Sequence, residues 1–535
     1  MAASYHVTPR ICGKPKQPSN CGSGLGQRLD ALLLEETTNL SEKQPVAEAN
    51  AGIPGPERQQ KVAVIGGGIS GLRAAAVLQR HGVDVVVLEA RDRLGGRIHT
   101  SRRADGTALD IDLRAAWMHE TSQNNLVKLI RKLGIEYYYD DGLALYYTEQ
   151  GRAGAQFKAK KICDEFADYL DWYYTKNPTA PDRAVSEFME DFVSKHELLT
   201  EDDRAWAPQV VKEVELWIGT SVSQASAKHL SYFVTERNLY MKGGYDSIVD
   251  WTASTLNEVP GVVRLNHFVE RVMWNDEGQS TVQFQSQGGH GAIDADAVLV
   301  TIPLGALHRD LIAFEPALPA SIQTGLKQLS YAALGKVFFE FAEVFWSKDN
   351  DQFMYYPSPP QPPEDEAYGS SYSSSNASTP PDNILAYATV TINLWIMTGS
   401  KSLCVQIAEP LTQRIEAMED KKAVYSFFKP LFSLLRTEPY RALPKLVNVE
   451  TTKWTLDPLA GHGTYSADKV GDEPELLVDA LEEHKRSRLQ FAGEHCTIAA
   501  NGCVHGAFAT GETAAKNLLE VFEIPYDGGD LVSLE

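Results

Sequence analysis

The sequence is poor in cysteine and lacks the cysteine spacings that would hold a metal ion or form a redox pair. Its six cysteines are scattered over 535 residues without a C-x-x-C pair, so we expect free thiols in a reducing compartment and no metal site. No run of 18 apolar residues occurs, and the N-terminus has no apolar signal-peptide core. We therefore predict a cytoplasmic protein without a membrane span.

Positive charge is also in deficit. The chain has 50 Lys and Arg residues against 71 Asp and Glu residues, which gives a formal net charge of −21. This balance disfavours nucleic acids and anionic membranes as partners, and it mildly favours cationic ligands. The length suits two or three domains with an ample core, and a homodimer is compatible with it.

The most informative stretch covers residues 61–97. Residues 61–65 form a short apolar run that is typical of a buried parallel strand, residues 69–81 are typical of a helix, and residues 83–88 predict a second strand. This order of strand, helix and strand is the context in which a glycine-rich turn binds a dinucleotide.

Three glycines in this stretch have the spacing G-x-G-x-x-G. In a dinucleotide-binding unit, Gly66 would permit the tight turn, Gly68 would let the backbone approach a pyrophosphate, and Gly71 would let helix and strand pack closely. Glu89 ends the second strand, where an acid meets a ribose hydroxyl. The sequence therefore predicts a dinucleotide site rather than a purely structural glycine turn.

The residues that follow resemble one family of flavoproteins. Glu89-Ala90-Arg91 with Gly95-Gly96-Arg97 resembles the E-x-R-x-x-x-G-G-R run of the flavin-containing amine oxidases. Further segments resemble the same family in the same order, namely residues 110–120, 239–256, 297–307, 329–346, 454–466, 491–494 and 501–515. The chain from about residue 61 to residue 519 therefore resembles the monoamine and polyamine oxidase superfamily.

The resemblance implies an α/β, two-lobed flavin amine oxidase fold with a Rossmann-type FAD-binding domain and a mixed-sheet and helical substrate domain. We assign residues 61–120, 240–320 and 447–520 to the FAD-binding domain and residues 121–239 and 321–446 to the substrate domain. Residues 1–60 are interpreted as an irregular extension, residues 356–382 as a mobile loop, and residues 521–535 as a tail.

Periodicity predicts the elements outside the glycine-rich stretch. Helices are predicted at residues 121–134, 162–174, 184–195, 202–216 and 412–435, with residues 121–239 wholly helical apart from their loops. Strands are predicted at residues 262–269, 272–284, 297–303, 384–390 and 403–407.

The resemblance also implies the site residues. Those predicted to bind FAD are Gly66, Gly68, Ile69, Ser70, Gly71, Glu89, Ala90, Arg91, Gly95, Gly96, Arg97, Ala115, Ala116, Trp117, Val269, Trp454, Gly493, Glu494, Cys503 and Val504. Arg97 and the Gly95-Gly96 backbone are expected to add a second clamp on the FAD phosphates. The predicted catalytic residues are Lys336, Tyr465 and His119, and the substrate pocket is assigned to Arg114, Trp117 and Cys503.

Lys336 is the main catalytic candidate because it matches the family's G-x-x-K-V strand, in which the lysine holds a water at flavin N5. Apolar residues flank it on both sides, so we expect a half-buried ammonium with a lowered pKa that suits proton relay. The alternative is an ordinary lysine of an edge strand. For Trp117 and His119 the alternatives are core packing and a hydrogen-bonded polar residue.

The sequence departs from the family pattern in ways that bear on its substrate. Thr464 stands where monoamine oxidases attach FAD to a cysteine, so FAD is expected to be non-covalent. Tyr465 takes the place of one pocket aromatic, but Cys503 takes the place of the other, which favours a bulky or extended substrate. Arg114 and Glu120 replace two family glycines, and Arg114 could pair with a carboxylate.

Three functions remain open at this point. The first is an FAD-dependent oxidase that converts the C–N bond of an amine to an imine, which water hydrolyses to a carbonyl and an amine or ammonia, while O2 becomes H2O2. The second is an FAD oxidase or dehydrogenase of the same fold that acts on an amino acid or a natural-product intermediate. The third is a flavin-binding scaffold without turnover.

Overall fold

The computed structural model describes residues 59–102, 111–122, 124–154, 157–230, 237–360 and 381–528. The interpretation of residues 1–60 as an extension falls almost wholly outside these residues. The same holds for most of the predicted loop at 356–382 and for the end of the predicted tail.

The strands, in chain order, are β1 Lys61–Ile65, β2 Asp84–Leu88, β3 Thr100–Ser101, β4 Ile111–Asp112, β5 Trp117–Met118, β6 Tyr137–Asp140, β7 Ala144–Thr148, β8 Gly151–Arg152, β9 Asn238–Met241, β10 Val263–Arg264, β11 Phe268–Met273, β12 Ser280–Ser286, β13 Gly289–Ala295, β14 Ala297–Val300, β15 Ala313–Glu315, β16 Tyr331–Ala332, β17 Gly335–Phe341, β18 Gln352–Tyr355, β19 Thr389–Asn393, β20 Ser402–Ile407, β21 Leu446–Thr451, β22 Tyr465–Ser466 and β23 Leu489–Phe491. The α-helices are α1 Ile69–Arg80, α2 Asn125–Leu133, α3 Ala159–Lys176, α4 Val185–Lys195, α5 Glu201–Val210, α6 Glu215–Ile218, α7 Asp246–Asn257, α8 Leu304–Leu307, α9 Ala320–Lys327, α10 Leu394–Thr398, α11 Leu411–Glu416, α12 Lys421–Leu434, α13 Glu475–Glu483 and α14 Val504–Val521.

A five-stranded parallel sheet carries the glycine-rich turn. Its order is β10-β2-β1-β14-β23, so neighbouring strands come from distant parts of the chain. The inner strands are apolar and almost fully buried, as expected for a parallel sheet covered on both faces. Helix α1 packs between this sheet and helices α7 and α14, and Gly511 allows α14 to approach the Ser70 backbone closely.

A second sheet of seven strands has the order β21-β17-β20-β19-β18-β7-β8 and is antiparallel except for the pairing of β18 with β7. One face carries Phe339 and Phe341 of β17, which pack against Phe428 and Phe432 of α12. Phe338 belongs to the core on the other face, which helices α3, α4 and α5 cover. The parallel and mixed sheets confirm the predicted α/β fold class.

Several predicted strands are wrong in their extent. Residues 272–284 form parts of two antiparallel strands, β11 and β12, joined by a turn in which Glu277 N–H donates to Asn275 Oδ1 at 2.9 Å. The predicted strand at 262–269 is divided at Asn266, whose φ of 57° is incompatible with a strand. The strand predicted at 297–303 ends at Val300.

Other predicted elements are wrong because of local capping. Residues 384–386 form a 3-10 turn in which Asn383 accepts from Leu385 N–H, and strand β19 begins only at Thr389. The helix predicted at 412–435 is divided into α11 and α12, and Asp420 caps the start of α12. The helix predicted at 202–216 ends at Val210, and a 3-10 turn leads from it into α6.

The region predicted to be wholly helical also contains strands. Strands β6, β7 and β8 lie between α2 and α3, and the latter two complete the edge of the seven-stranded sheet. The run of tyrosines at 137–139 and 146–147 has the aromatic character of strands. Within the described ranges, the structure has no helix that is both long and apolar enough to cross a membrane.

Candidate active site

A long cleft opens at the carboxyl ends of the parallel strands, which is where open α/β sheets bind ligands. The space between its atoms amounts to about 1040 Å³, part of it open to solvent. Fifteen of the residues predicted to bind FAD line the cleft, namely Gly66, Gly68, Ile69, Ser70, Glu89, Ala90, Arg91, Gly95, Gly96, Arg97, Val269, Gly493, Glu494, Cys503 and Val504. Gly71, Ala115, Ala116, Trp117 and Trp454 do not line it.

The glycine turn that starts the cleft is fixed by close backbone approaches. Gly66 has a φ of +108°, which favours glycine, and its N–H donates to Leu88 O at 2.9 Å. A Cβ on Gly71 would lie 2.1 Å from Gly66 O, so Gly71 packs the helix against the turn. A Cβ on Gly68 would meet no heavy atom within 4 Å, which leaves the turn open towards the cleft.

Glu89 organises the other side of the turn. Its Oε2 accepts from Gly67 N–H at 2.6 Å and its Oε1 accepts from Arg91 N–H at 2.8 Å. Burial raises the pKa of the Glu89 carboxyl, although these two hydrogen bonds oppose the shift. The carboxylate thus holds the two loops together at the position predicted for a ribose contact.

Arg97 lies at the far end of the cleft and is held by other protein groups. Its Nη1 donates to Glu494 Oε1 at 2.7 Å, to Thr464 O at 2.8 Å and to Tyr331 O–H at 3.1 Å. Its expected role as a phosphate clamp must therefore be shared with this buried ion pair. The ion pair between Arg97 and Glu494 is not predicted from the sequence, because the two residues are 397 positions apart.

Glu494 is the most highly coordinated carboxylate of the cleft. It accepts from Arg97, from Ser466 O–H at 2.5 Å and from Gly502 N–H at 3.0 Å. Burial alone would raise its pKa, but the positive charge of Arg97 and the hydrogen bond from Ser466 lower it to about 2. Glu494 is therefore ionised, and it ties three chain segments to one point.

Two helices begin at the cleft without side-chain caps. Helix α1 starts after Gly68 and helix α14 starts after Cys503, and neither has a capping side chain or an acidic residue in its first turn. Their free N–H groups and dipoles attract anionic groups. With the open glycine turn and Glu89, they form a cradle that fits an elongated anionic dinucleotide such as FAD.

Lys336 lies behind the cleft rather than in its wall. Its side chain is 5% exposed, its Nζ donates to Arg114 O, and Nζ lies 4.9 Å from the centre of the Trp117 ring. Burial lowers the pKa of the Lys336 ammonium. The lysine occupies an inner strand of the seven-stranded sheet, between β20 and β21, so its interpretation as an edge-strand lysine is wrong.

Arg114, Tyr465 and Cys503 lie together at the end of the cleft. The Arg114 guanidinium stacks on the Tyr465 ring at 4.7 Å, and Arg114 lines the cleft beside Cys503. A side chain at Gly502 would lie 3.3 Å from the Tyr465 ring, so the chain just before Cys503 abuts that ring. The Tyr465 hydroxyl donates to Trp217 O at 2.5 Å, which fixes the ring.

His119 and Glu120 face a different set of partners. His119 is exposed, and its Nδ1 lies 2.8 Å from Asn238 Oδ1. Glu120 lies 3.2 Å from Nε2 of His505, in the first turn of α14. Glu120 has a φ of 52°, which explains in physical terms why a glycine suits this position in the family pattern.

The remaining predicted residues support the site from behind. Trp117 Nε1 donates to Asp140 at 2.8 Å, and Trp454 Nε1 donates to Leu113 O at 3.1 Å. Ala116 is buried, and its carbonyl accepts from Met241 N–H at 2.9 Å. These contacts anchor the segment that carries Arg114.

Part of the cleft wall is formed by residues that are not among those predicted from the sequence. Thr301, Ile302 and Pro303 line the cleft directly after β14, and His267 and Phe268 line it just before Val269. Thr301 O–H also donates to Ile65 O at 2.9 Å. The signal was present, because a loop that follows a parallel strand lies at the ligand-binding edge of the sheet.

Comparison with known proteins gives matches along most of the chain. The family model described as flavin containing amine oxidoreductase matches residues 69–519, and that of the pyridine nucleotide-disulphide oxidoreductases matches residues 26–111. The chain is 29% identical to polyamine oxidase 4 of Oryza sativa subsp. japonica, over 86% of this chain and 90% of the relative. It is 28% identical to a corticosteroid-binding protein of Candida albicans, over 86% and 96% of the two chains. It is 26% identical to lysine-specific histone demethylase 1 homolog 2 of Arabidopsis thaliana, over 88% and 60%.

Proposed function

We propose, because this chain belongs to the flavin-containing amine oxidoreductase family, that it oxidises the C–N bond of an amine to an imine and transfers the electrons to O2. The family match over residues 69–519 makes the chain an FAD-binding oxidoreductase that acts on amine donors. Water would hydrolyse the imine to a carbonyl compound and an amine or ammonia. The proposal adds that O2 is the electron acceptor and that named residues of the site take part in the reaction.

One observation carries the proposal. The cleft that fits FAD ends beside a cluster of Arg114, Trp117, Lys336 and Tyr465. In it the Lys336 ammonium lies next to the Trp117 ring, and the Arg114 guanidinium lies next to the Tyr465 ring. When bound, FAD accepts the hydride equivalent from the carbon next to the amine nitrogen and passes the electrons on to O2, which gives H2O2. We infer that this cluster would lie beside the reacting part of the bound flavin.

The protein's own contribution is to hold protons and exclude water. An alkylamine has an ordinary pKa near 10.4 and must react in its neutral form, which a dry and aromatic pocket favours by desolvation. Lys336, whose pKa burial lowers, would release a proton from Nζ more readily than an exposed lysine. Tyr465, which Trp217 O fixes, would orient the substrate carbon.

Bulky or extended amines are the proposed substrates. Cys503 stands where a second aromatic would narrow the pocket, so a small amine would meet the Tyr465 ring on one side and the smaller Cys503 on the other. Relatives named polyamine oxidases support an extended amine. A related reaction on an amino acid or a natural-product amine is the second candidate, which Arg114 favours.

Flavin reduction under anaerobic conditions tests the proposal directly. The purified holoprotein should lose the visible absorbance band of its flavin, at about 450 nm, when an active amine is added. Admission of O2 should restore the band with one H2O2 per amine oxidised. The panel contains polyamines, benzylamine and amino acids. If none of these amines bleaches the flavin, the proposed function is wrong, and if bleaching occurs but O2 does not restore the colour, the protein is a dehydrogenase.

A further inference from the structure

The side chain of Arg114 is half-buried, and the hydrogen bonding of its guanidinium is incomplete. Its Nε and Nη2 are buried, and neither finds a hydrogen-bond acceptor among the described residues. The side chain lines the end of the cleft and stacks on Tyr465 at 4.7 Å. Buried donors without acceptors are costly, and they are rare in native proteins unless a ligand completes them.

The acids nearest to Arg114 are engaged elsewhere. Glu494 already accepts from Arg97, Ser466 and Gly502, and Glu120 faces His505 at 3.2 Å. Arg97 and Glu494 neutralise each other as an ion pair, so none of the acids that the structure describes is paired with Arg114 at this end of the cleft. Burial and the nearby Arg97 lower the pKa of Arg114 to about 10, which still leaves it charged at neutral pH.

The unsatisfied donors lie on one edge of the guanidinium. The N–H groups of Nε and Nη2 are parallel, and they match the two oxygens of a carboxylate in a bidentate pair. The Tyr465 contact is made through Cζ, which lies 4.7 Å from the ring centre, so it supplies no acceptor for these two N–H groups. A planar oxyanion therefore fits the edge better than an ammonium or a neutral amide does.

We propose that the pocket takes amines that also carry a carboxylate, and that Arg114 binds this carboxylate through its Nε–Nη2 edge. The inference rests on the proposed function, and it narrows the substrate class to amino-acid-like or carboxylated amines. An amine without a carboxylate would leave the N–H groups of Nε and Nη2 without acceptors. Arg114 becomes a specificity-determining residue, while the oxidised C–N bond lies towards the flavin.

Equilibrium binding to the oxidised holoprotein tests this assignment without turnover. Benzoate and its neutral analogue benzamide are titrated separately, and the change in the flavin spectrum is followed. We expect saturable benzoate binding that is at least tenfold tighter than benzamide binding. Equal affinities for the two ligands would overturn the proposal, and this comparison requires no variant.

Variants then locate the site of binding. Arg114→Met should weaken the binding of benzoate at least tenfold and leave the binding of benzamide unchanged. Arg114→Lys should weaken benzoate binding less, because an ammonium still attracts the carboxylate as a point charge. Arg414→Met is the matched control, since Arg414 also stacks on an aromatic ring, Phe427, at 5.0 Å but lies outside the cleft. Unchanged benzoate affinity in Arg114→Met would overturn the proposal. A flavin spectrum that shifts in ligand-free Arg114→Met would assign the guanidinium to the flavin and would likewise overturn the proposal.

The assay of the proposed function gives an independent result. If an amine without a carboxylate bleaches the flavin as fast as its carboxylated analogue, the proposed function stands and the inference about Arg114 fails. If benzoate binds through Arg114 but no amine bleaches the flavin, the site binds carboxylates and the proposed amine oxidation fails.

Discussion

Lys336 has a buried ammonium that donates to the backbone carbonyl of Arg114. Lys336→Met keeps the volume of the side chain and removes the charge, so we expect the fold and the bound FAD to persist. Either flavin reduction or its reoxidation by O2 should slow by roughly 100-fold, which is the lower range for loss of a positioned proton carrier. Stopped-flow traces of the two half-reactions would show which step is affected.

A second lysine of the same sheet region provides the control for this experiment. Lys401 precedes β20, is exposed, and donates from Nζ to Ala342 O at 3.2 Å. Lys401→Met should leave both half-reactions at wild-type rates. Wild-type rates in Lys336→Met as well would mean that the buried lysine is only a structural residue of β17.

Glu494 allows a prediction about pH. Its pKa of about 2 lies below the ordinary value near 4.5, so its ionised form stabilises the folded state above pH 4.5, and this stabilisation is lost as the pH falls towards 2. The difference corresponds to about 3 kcal/mol at neutral pH. Glu494→Gln should lower the urea midpoint at pH 7, because Arg97 loses its counter-charge, and the gap to wild type should narrow between pH 4.5 and pH 3.

The comparison for Glu494 is an acid on the protein surface. Glu520 pairs with Arg486 at 3.4 Å, and both side chains are more than half exposed. Glu520→Gln should leave the urea midpoint almost unchanged at every pH. A gap between Glu494→Gln and wild type that stayed constant with pH would contradict the ionic role of Glu494.

At the scale of elements, two glycines at the start of α1 have different roles, one in packing and the other in ligand binding. A methyl group on Gly71 would collide with Gly66 O at 2.1 Å, whereas one on Gly68 would meet no heavy atom within 4 Å. Gly71→Ala should therefore destabilise the protein by roughly 1–3 kcal/mol, as overpacking does, with or without FAD. Gly68→Ala should keep the melting temperature of the apoprotein and weaken FAD, because the methyl group enters the cleft. Equal melting temperatures for the two apoprotein variants would contradict this assignment.

The elements that local sequence could predict are those with local causes. The unit of β1, α1 and β2 is predictable because its glycines, apolar runs and terminal acid all lie within about 40 residues. Dinucleotide-binding units have the same parts within a segment of similar length. The strand predicted at 272–284 is wrong because a polar turn at Asn275 separates β11 from β12. Local hydrogen bonds also set two other boundaries. The Asn383 side chain caps the 3-10 turn that precedes β19, and the Asp420 side chain caps the start of α12.

The candidate site was predictable in its parts and not in its connections. Family motifs pointed to Arg97 and Glu494 separately, but their ion pair joins residues 397 positions apart. The incomplete hydrogen bonding of Arg114 is likewise a property of three-dimensional surroundings that a single sequence does not contain. Thr301 was missed although the end of a parallel strand indicated its position.

At the scale of the whole molecule, FAD should be released on denaturation. Thr464 is fully buried, and its Oγ1 accepts from Leu334 N–H at 2.9 Å and donates to Ala332 O at 3.1 Å, so this position offers no thiol for attachment. Acid or heat should therefore leave the flavin in the supernatant, where its fluorescence is measured. Flavin that stays with the precipitated polypeptide would contradict the prediction. Added FAD should also raise the melting temperature in a concentration-dependent way.

The order of strands in the parallel sheet has a consequence for synthesis on the ribosome. Strand β23 completes this sheet, and Glu494 closes the pair with Arg97 only after 397 further residues have been made. At ribosomal speeds, this interval is roughly 20–80 seconds. Arg97 lacks its counter-charge throughout that interval, and β14 has an open edge from the synthesis of Val300 until β23 is made. Nascent chains that stop before residue 489 should therefore bind chaperones or aggregate, whereas the glycine turn itself can form early.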